Sequence, residues 1–148
     1  TLLSTTTLSG ASTSLTSISS SYTNLVLVIT APVNSSGDAF WIRLNADTGA
    51  NYSYSYIGTT ATAFTATVAG TKLDIGNSGA GDGSVSTYTI YNYNRANPSV
   101  LATSMSTGGN RDRFMFGGYT TSTAISSIQI TNNTGTWTSG TAYLYGVN

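Results

Sequence analysis

The sequence predicts an all-β fold: a two-sheet antiparallel β-sandwich of jelly-roll type in a single domain over residues 1–148. Three observations carry this. The strong helix formers Glu, Lys, Gln and Arg are scarce, while β-branched and aromatic residues dominate. Short apolar runs with a period of two recur along the whole chain. Turn residues (Gly, Asn, Ser, Asp) separate them at close intervals.

The elements follow in order. Leu2 to Leu8 reads as a first strand and Thr13 to Ile18 as a second. Asn24 to Thr30 is apolar on both faces, which predicts a central strand. From Ala39 to Asn45 the residues alternate, with Phe40, Ile42 and Leu44 opposed to Trp41 and Arg43. Asp47-Thr48-Gly49 is a turn, and Tyr52-Ser53-Tyr54-Ser55-Tyr56 has a strict period of two. Thr62 to Val68 and Thr71 to Ile75 are strands divided by Gly70, and Gly76 to Gly83 is a loop. Val85 to Tyr93, Ser99 to Ser106, Arg113 to Tyr119, Ile125 to Thr131 and Thr141 to Val147 complete the set. Gly108-Gly109-Asn110 and Thr138-Ser139-Gly140 are expected as loops. The expected core is Phe40, Ile42, Leu44, Phe64, Val68, Ile90, Phe114, Phe116, Ile128 and Ile130.

Composition narrows function. The chain has no histidine, no cysteine and no glutamate, and 7% of its residues are charged, against about 25% in ordinary domains. General acid–base and nucleophilic chemistry rests largely on the missing side chains. The expectation is therefore no enzyme, no cofactor and no metal site. A formal net charge of +0 with no charge run offers no grip on nucleic acid. It also removes the self-repulsion that keeps copies apart. The longest apolar run, Leu25 to Ile29, is too short for a spanning helix, so no membrane insertion is expected.

Four constellations bear on chemistry. Asp47-Thr48-Gly49-Ala50 matches the active-site triplet of aspartic proteases, in which two copies share a proton. A β-turn explains it more simply: Asp opens the turn, Gly permits positive φ, and alternating strands flank it. Gly79-Ala80-Gly81-Asp82-Gly83 lacks the helix of a phosphate loop and the carboxylates of a calcium loop, and reads as a plain hairpin loop. Arg111-Asp112-Arg113 is the densest charge, able to pair with a neighbour's carboxylate or an acidic sugar, or to neutralise itself in solvent. The aromatic residues are the candidate binding groups. Tyr52, Tyr54 and Tyr56 share one face, Tyr91 and Tyr93 another, and Trp137 sits in a loop region. Exposed, they suit protein interfaces and sugar rings; buried, they pack across strands. Asn34, Asn51 and Asn132 begin N-x-Ser/Thr sequons, relevant only to a eukaryotic secreted protein.

Several segments together resemble a known family. They are Leu2 to Gly10, Ile18 to Tyr22, Asn24 to Ile29, the turn Arg43-Leu44-Asn45-Ala46-Asp47-Thr48-Gly49-Ala50-Asn51-Tyr52, Ile125 to Ile130, and Thr136 to Val147. In that order they are similar to small jelly-roll domains of tailed bacteriophages, tail or tail-fibre proteins among them. The resemblance implies a non-enzymatic structural part on the exterior of a virion, either capsid decoration or a fibre domain. It implies partners that are copies of itself, a trimer foremost, together with other virion proteins. It carries over no catalytic residue. The alternative is a lectin-like module that binds host surface glycan through tyrosines, Trp137, Asn and Asp.

Overall fold

Period-two patterning over short runs makes strands, and burial of one face of each run fixes how they pair. The protein is described from a computed structural model covering residues 1–58, 63–76, 84–105 and 112–148. Its strands are β1 (Leu2–Thr7), β2 (Ser12–Leu15), β3 (Asn24–Asn34), β4 (Phe40–Leu44), β5 (Tyr52–Gly58) and β6 (Thr65–Gly70). They continue with β7 (Leu73–Gly76), β8 (Val85–Tyr91), β9 (Ser99–Met105), β10 (Arg113–Tyr119), β11 (Ile128–Asn132) and β12 (Trp137–Val147).

Eight strands form one sheet in the order β1-β12-β3-β8-β9-β10-β5-β6, and four form a second in the order β2-β11-β4-β7. Each pairing between neighbours is antiparallel. The chain is thus an all-β, two-sheet antiparallel sandwich, as its patterning predicts. β3 lies inside the large sheet between β12 and β8, which explains why it is apolar on both faces. The large sheet contributes Leu25, Leu27, Ile29, Tyr52, Tyr54, Tyr88, Ile90, Val100, Ala102 and Met115 to the core. Facing them from the small sheet are Leu15, Phe40, Ile42, Leu44, Leu73, Ile128 and Ile130.

Several boundaries move for identifiable reasons. The strand expected over Ile125 to Thr131 begins at Ile128. Before it, the Asn45 side-chain carbonyl accepts the N–H groups of Ser126 (2.8 Å) and Ser127 (3.3 Å), and the Ile125 N–H donates to the Tyr93 carbonyl (2.8 Å). Thr138-Ser139-Gly140 is no loop but a bulged part of β12, with register shifts on either side of Ser139. Gly140 is required there: its φ is +125°, and a Cβ would lie 2.7 Å from Leu8 and 3.0 Å from the Pro32 backbone. The strand expected to run through Tyr93 stops at Tyr91 because Asn92 adopts φ 55° and turns the chain. Of the loop expected over Gly76 to Gly83, Gly76 closes β7 and positions 77–83 lie outside the described residues. The loop expected at Gly108-Gly109-Asn110 lies outside them too.

Four members of the expected core are on the surface. Phe64 (54% exposed), Val68 (80%), Phe114 (41%) and Phe116 (48%) all face solvent. The reason is the parity of β10. Met115, Gly117 and Tyr119 pair with Tyr56, Tyr54 and Tyr52 of β5. Tyr52 stacks on Tyr119, and Tyr54 and Tyr56 meet Gly117 and Met115, so that parity of β10 points in and Phe114 and Phe116 point out.

Candidate functional site

The side chains singled out in the sequence do not assemble into one exposed platform. Tyr52 is fully buried and stacks on Tyr119 with ring centroids 4.7 Å apart. Its hydroxyl accepts the Leu44 N–H at 3.0 Å and lies 3.2 Å from the carbonyls of Leu44 and Asp47. Burial raises its pKa above the ordinary tyrosine value, as it does for Tyr54, which is also buried. Tyr56 is half-buried under the Arg113 guanidinium, 5.0 Å from the ring centre. Tyr93 is wholly buried rather than sharing an outer face with Tyr91; its hydroxyl donates to the Ser19 carbonyl. Tyr91 is exposed. Trp137 is buried edge-on against Phe40 at 5.4 Å. These aromatic rings pack within the aliphatic core, and the Tyr52 and Tyr93 hydroxyls reach backbone carbonyls there.

The charged groups are likewise absorbed by the fold. Arg113 and Lys72 lie 3.8 and 3.7 Å from the Asp74 carboxylate. The Lys72 ammonium also sits 3.5 Å over the Trp41 ring, and the Arg43 guanidinium 5.8 Å from it. Arg111 lies outside the described residues. The Asp47 carboxylate closes its own turn: Oδ1 accepts the Gly49 N–H (2.7 Å), and Oδ2 accepts from Asn51 Nδ2 (2.7 Å) and the Tyr119 hydroxyl (2.9 Å). The Asn51 amide, then the Gly49 N–H, hold its pKa below the usual carboxylate value. A carboxylate kept charged by donors, with Asn45 and Ala46 in left-handed conformations before it, is the geometry of a turn. Among the described residues no three Asp, Glu, His or Cys side chains lie together as metal ligands. Among the same residues no helix is long and apolar enough to cross a membrane.

One surface feature stands out instead, and it is made by residues assigned to the core at the sequence level. Phe64, Phe114 and Phe116 form a chain of ring contacts on the outer face of the large sheet, at 5.6 Å and 6.5 Å. Val68 and Met105 (58% exposed) add to the exposed apolar area beside them. A groove of about 220 Å³ runs next to Phe116, floored by Ser53, Ser55 and Gly117 and walled by Ala66 and Val68. No local signal in the sequence marks this parity, because it is set by the pairing of Met115 and Gly117 with Tyr56 and Tyr54 of β5.

No family model matches the sequence, and no curated protein does. Among solved structures, the chain is similar to an exo-inulinase from Aspergillus awamori at TM-score 0.51 and 16% identity; the match covers 99% of this chain and 29% of that one. It thus spans under a third of the inulinase's length, and the likeness shows the sandwich fold alone. A scytalido-glutamic peptidase aligns at TM-score 0.38 and 13% identity, over 86% of this chain and 65% of that one. A human SPRY domain aligns at TM-score 0.25 and 11% identity, over 82% and 92%.

Proposed function

We propose that this chain is a non-enzymatic structural domain on the exterior of a bacteriophage particle, a jelly-roll-type brick assembled as a symmetric oligomer, the trimer foremost. Its place would be capsid decoration or a tail fibre, with other virion proteins as neighbours. One observation carries the reading beyond the family resemblance: the reactive-looking side chains are spent on structure, while the outer face formed by β5, β6, β9 and β10 and the residue leading into β6 leaves Phe64, Phe114, Phe116, Val68 and Met105 in solvent. Asp47 closes a turn, Asp74 pairs with two cations, and Asp38 accepts from Ala39 N–H and Thr134. A molecule so arranged acts through shape and contact. The lectin-like alternative loses its platform, since Tyr52, Tyr54, Tyr93 and Trp137 offer no free ring face.

Quantitative mass spectrometry of purified particles tests the proposal. Recovery at a fixed copy number, at a multiple of the particle's symmetry, is the expected result. Particles lacking the chain would burst under heat or osmotic shock if it is decoration, and would fail to adsorb if it is a fibre part. Recovery only from the soluble fraction, never with particles, would refute the reading.

A further inference from the structure

Phenylalanine is among the residue types most often buried, yet three of the four in this chain are 41–54% exposed. They are contiguous, on one sheet face, and joined by Val68 and Met105. At about 150–200 Å² of surface per residue, the five leave roughly 500 Å² of mainly apolar area open. A standard interface takes about 800 Å² per partner, of which about 56–65% is non-polar. The patch therefore matches the apolar centre of one full-sized interface.

Three features say what covers it. The groove beside Phe116, about 220 Å³, is smaller than the roughly 300–1,000 Å³ of small-molecule sites. It is shallow and apolar and suits a single protruding side chain. Beside it stands such a side chain, since Phe64 packs edge-on against Phe116. Knob and hole on one face make the patch self-complementary, as a twofold contact between identical subunits requires. Finally, β6 ends the large sheet, and its sequence, Thr-Ala-Thr-Val-Ala-Gly, has none of the charges or prolines that ordinarily keep an edge from pairing. With a net charge of +0, no long-range repulsion opposes a second copy.

We infer that the outer face of β5, β6, β9 and β10 is the surface on which a second copy of this chain seats, the Phe64 ring of each copy entering the groove beside Phe116 of the other. This is a twofold contact that pairs two copies rather than closing a trimer; it rests on the reading above for the premise that copies assemble. Val68 and Met105 extend the dry centre, and Ser53 and Ser55 supply polar groups at the groove floor.

The test is the mass of the purified 148-residue chain by sedimentation and light scattering, from about 1 to 100 μM. The wild type is expected as a defined oligomer. Phe64→Ser/Phe116→Ser is expected to weaken association by roughly a hundredfold or more, giving monomer across the range with an unchanged circular dichroism spectrum. Leu2→Ser, an equally exposed apolar site on β1 at the opposite edge, should leave the mass intact. Should the double variant fail to fold, Val68→Arg, at a position 80% exposed, takes its place with the same expectation. An oligomer that survives the double variant, or that Leu2→Ser dissociates, overturns this surface while leaving assembly standing. A wild type monomeric throughout overturns both.

Discussion

Gly117 and Gly118 are adjacent in β10, and the structure assigns them opposite responses to the same substitution. A Cβ on Gly117 would lie 2.4 Å from the Tyr54 Cβ, 2.5 Å from the Ser53 carbonyl oxygen and 2.7 Å from the Tyr54 Cα. Ordinary cross-strand Cβ pairs stand about 4.5–5.5 Å apart. The obstructing atoms are backbone and first side-chain carbon, so no rotamer change relieves them; the β5–β10 pair must part. Forcing a methyl group into such a site costs about 1–3 kcal/mol. Against this stands about 0.5–1 kcal/mol gained by replacing glycine within a strand. Gly117→Ala should therefore lose about 0.5–2 kcal/mol, a fall of about 1–8 °C in Tm at about 2–4 °C per kcal/mol for a domain of this size. On Gly118 the nearest atom to a new Cβ is the Pro98 carbonyl at 3.5 Å, an ordinary contact. Gly118→Ala should be neutral or stabilising by up to about 1 kcal/mol. Urea titration of both variants against wild type measures the difference. If Gly117→Ala is as stable as wild type, or Gly118→Ala is the more damaging, the pairing of Gly117 with Tyr54 is wrong, and with it the account of why Phe114 and Phe116 point outward.

The buried tyrosine hydroxyls make a second contrast. Tyr52→Phe strips the Leu44 N–H of its acceptor inside the core and should cost about 1–3 kcal/mol in urea titration. The Tyr88 hydroxyl is buried without a hydrogen-bond partner among the described residues, so Tyr88→Phe should be neutral or stabilising by the same measure. Asp47 has a folded pKa below its ordinary value of 3.8. It therefore contributes stability that is fully present above that value and is lost as pH falls through the lower folded one. Asp47→Asn should flatten this acid limb of stability against pH while costing, after solvent screening, no more than about 1 kcal/mol at neutral pH.

The class of fold was legible because nearly every strand carries its own alternation, and because the scarcity of helix formers leaves no competing pattern. The Asp47-Thr48-Gly49 turn was legible too, since its Asp and Gly act within a few residues of each other. The candidate surface was not. Strand β10 reads Arg-Phe-Met-Phe-Gly-Gly-Tyr, and on hydropathy alone Phe114 and Phe116 outweigh Met115 for the inner face. The deciding term is non-local: Tyr54 and Tyr56 of β5 lie opposite Gly117 and Met115, and Tyr52 lies opposite Tyr119. The sequence left the tyrosines open between surface and core, and Tyr52 and Tyr93 lie in the core because their hydroxyls find carbonyl acceptors there, at Leu44 and Ser19. Tyr93 was further displaced by a single left-handed residue, Asn92, which no alternation rule anticipates.

Around β5 and β10 the aromatic residues invert the usual order, with Tyr52, Tyr54 and Tyr119 inside and Phe64, Phe114 and Phe116 outside. For an isolated domain this arrangement is unfavourable on both counts. A buried tyrosine needs an acceptor, and a phenylalanine left about half exposed forfeits about half of the roughly 1.5–3 kcal/mol that full burial contributes. Three exposed phenylalanines on one face amount to a few kcal/mol that the lone chain does not recover. Association recovers it, because covering the face removes the same area from water. The inversion is thus unfavourable for a monomer and favourable for an assembly, and it connects the internal packing of β5 against β10 to the contact between copies. The two tests are linked in consequence: if Gly117→Ala parts these strands, it should also shift the outward phenylalanines and weaken association, whereas Gly118→Ala should leave the oligomer unchanged.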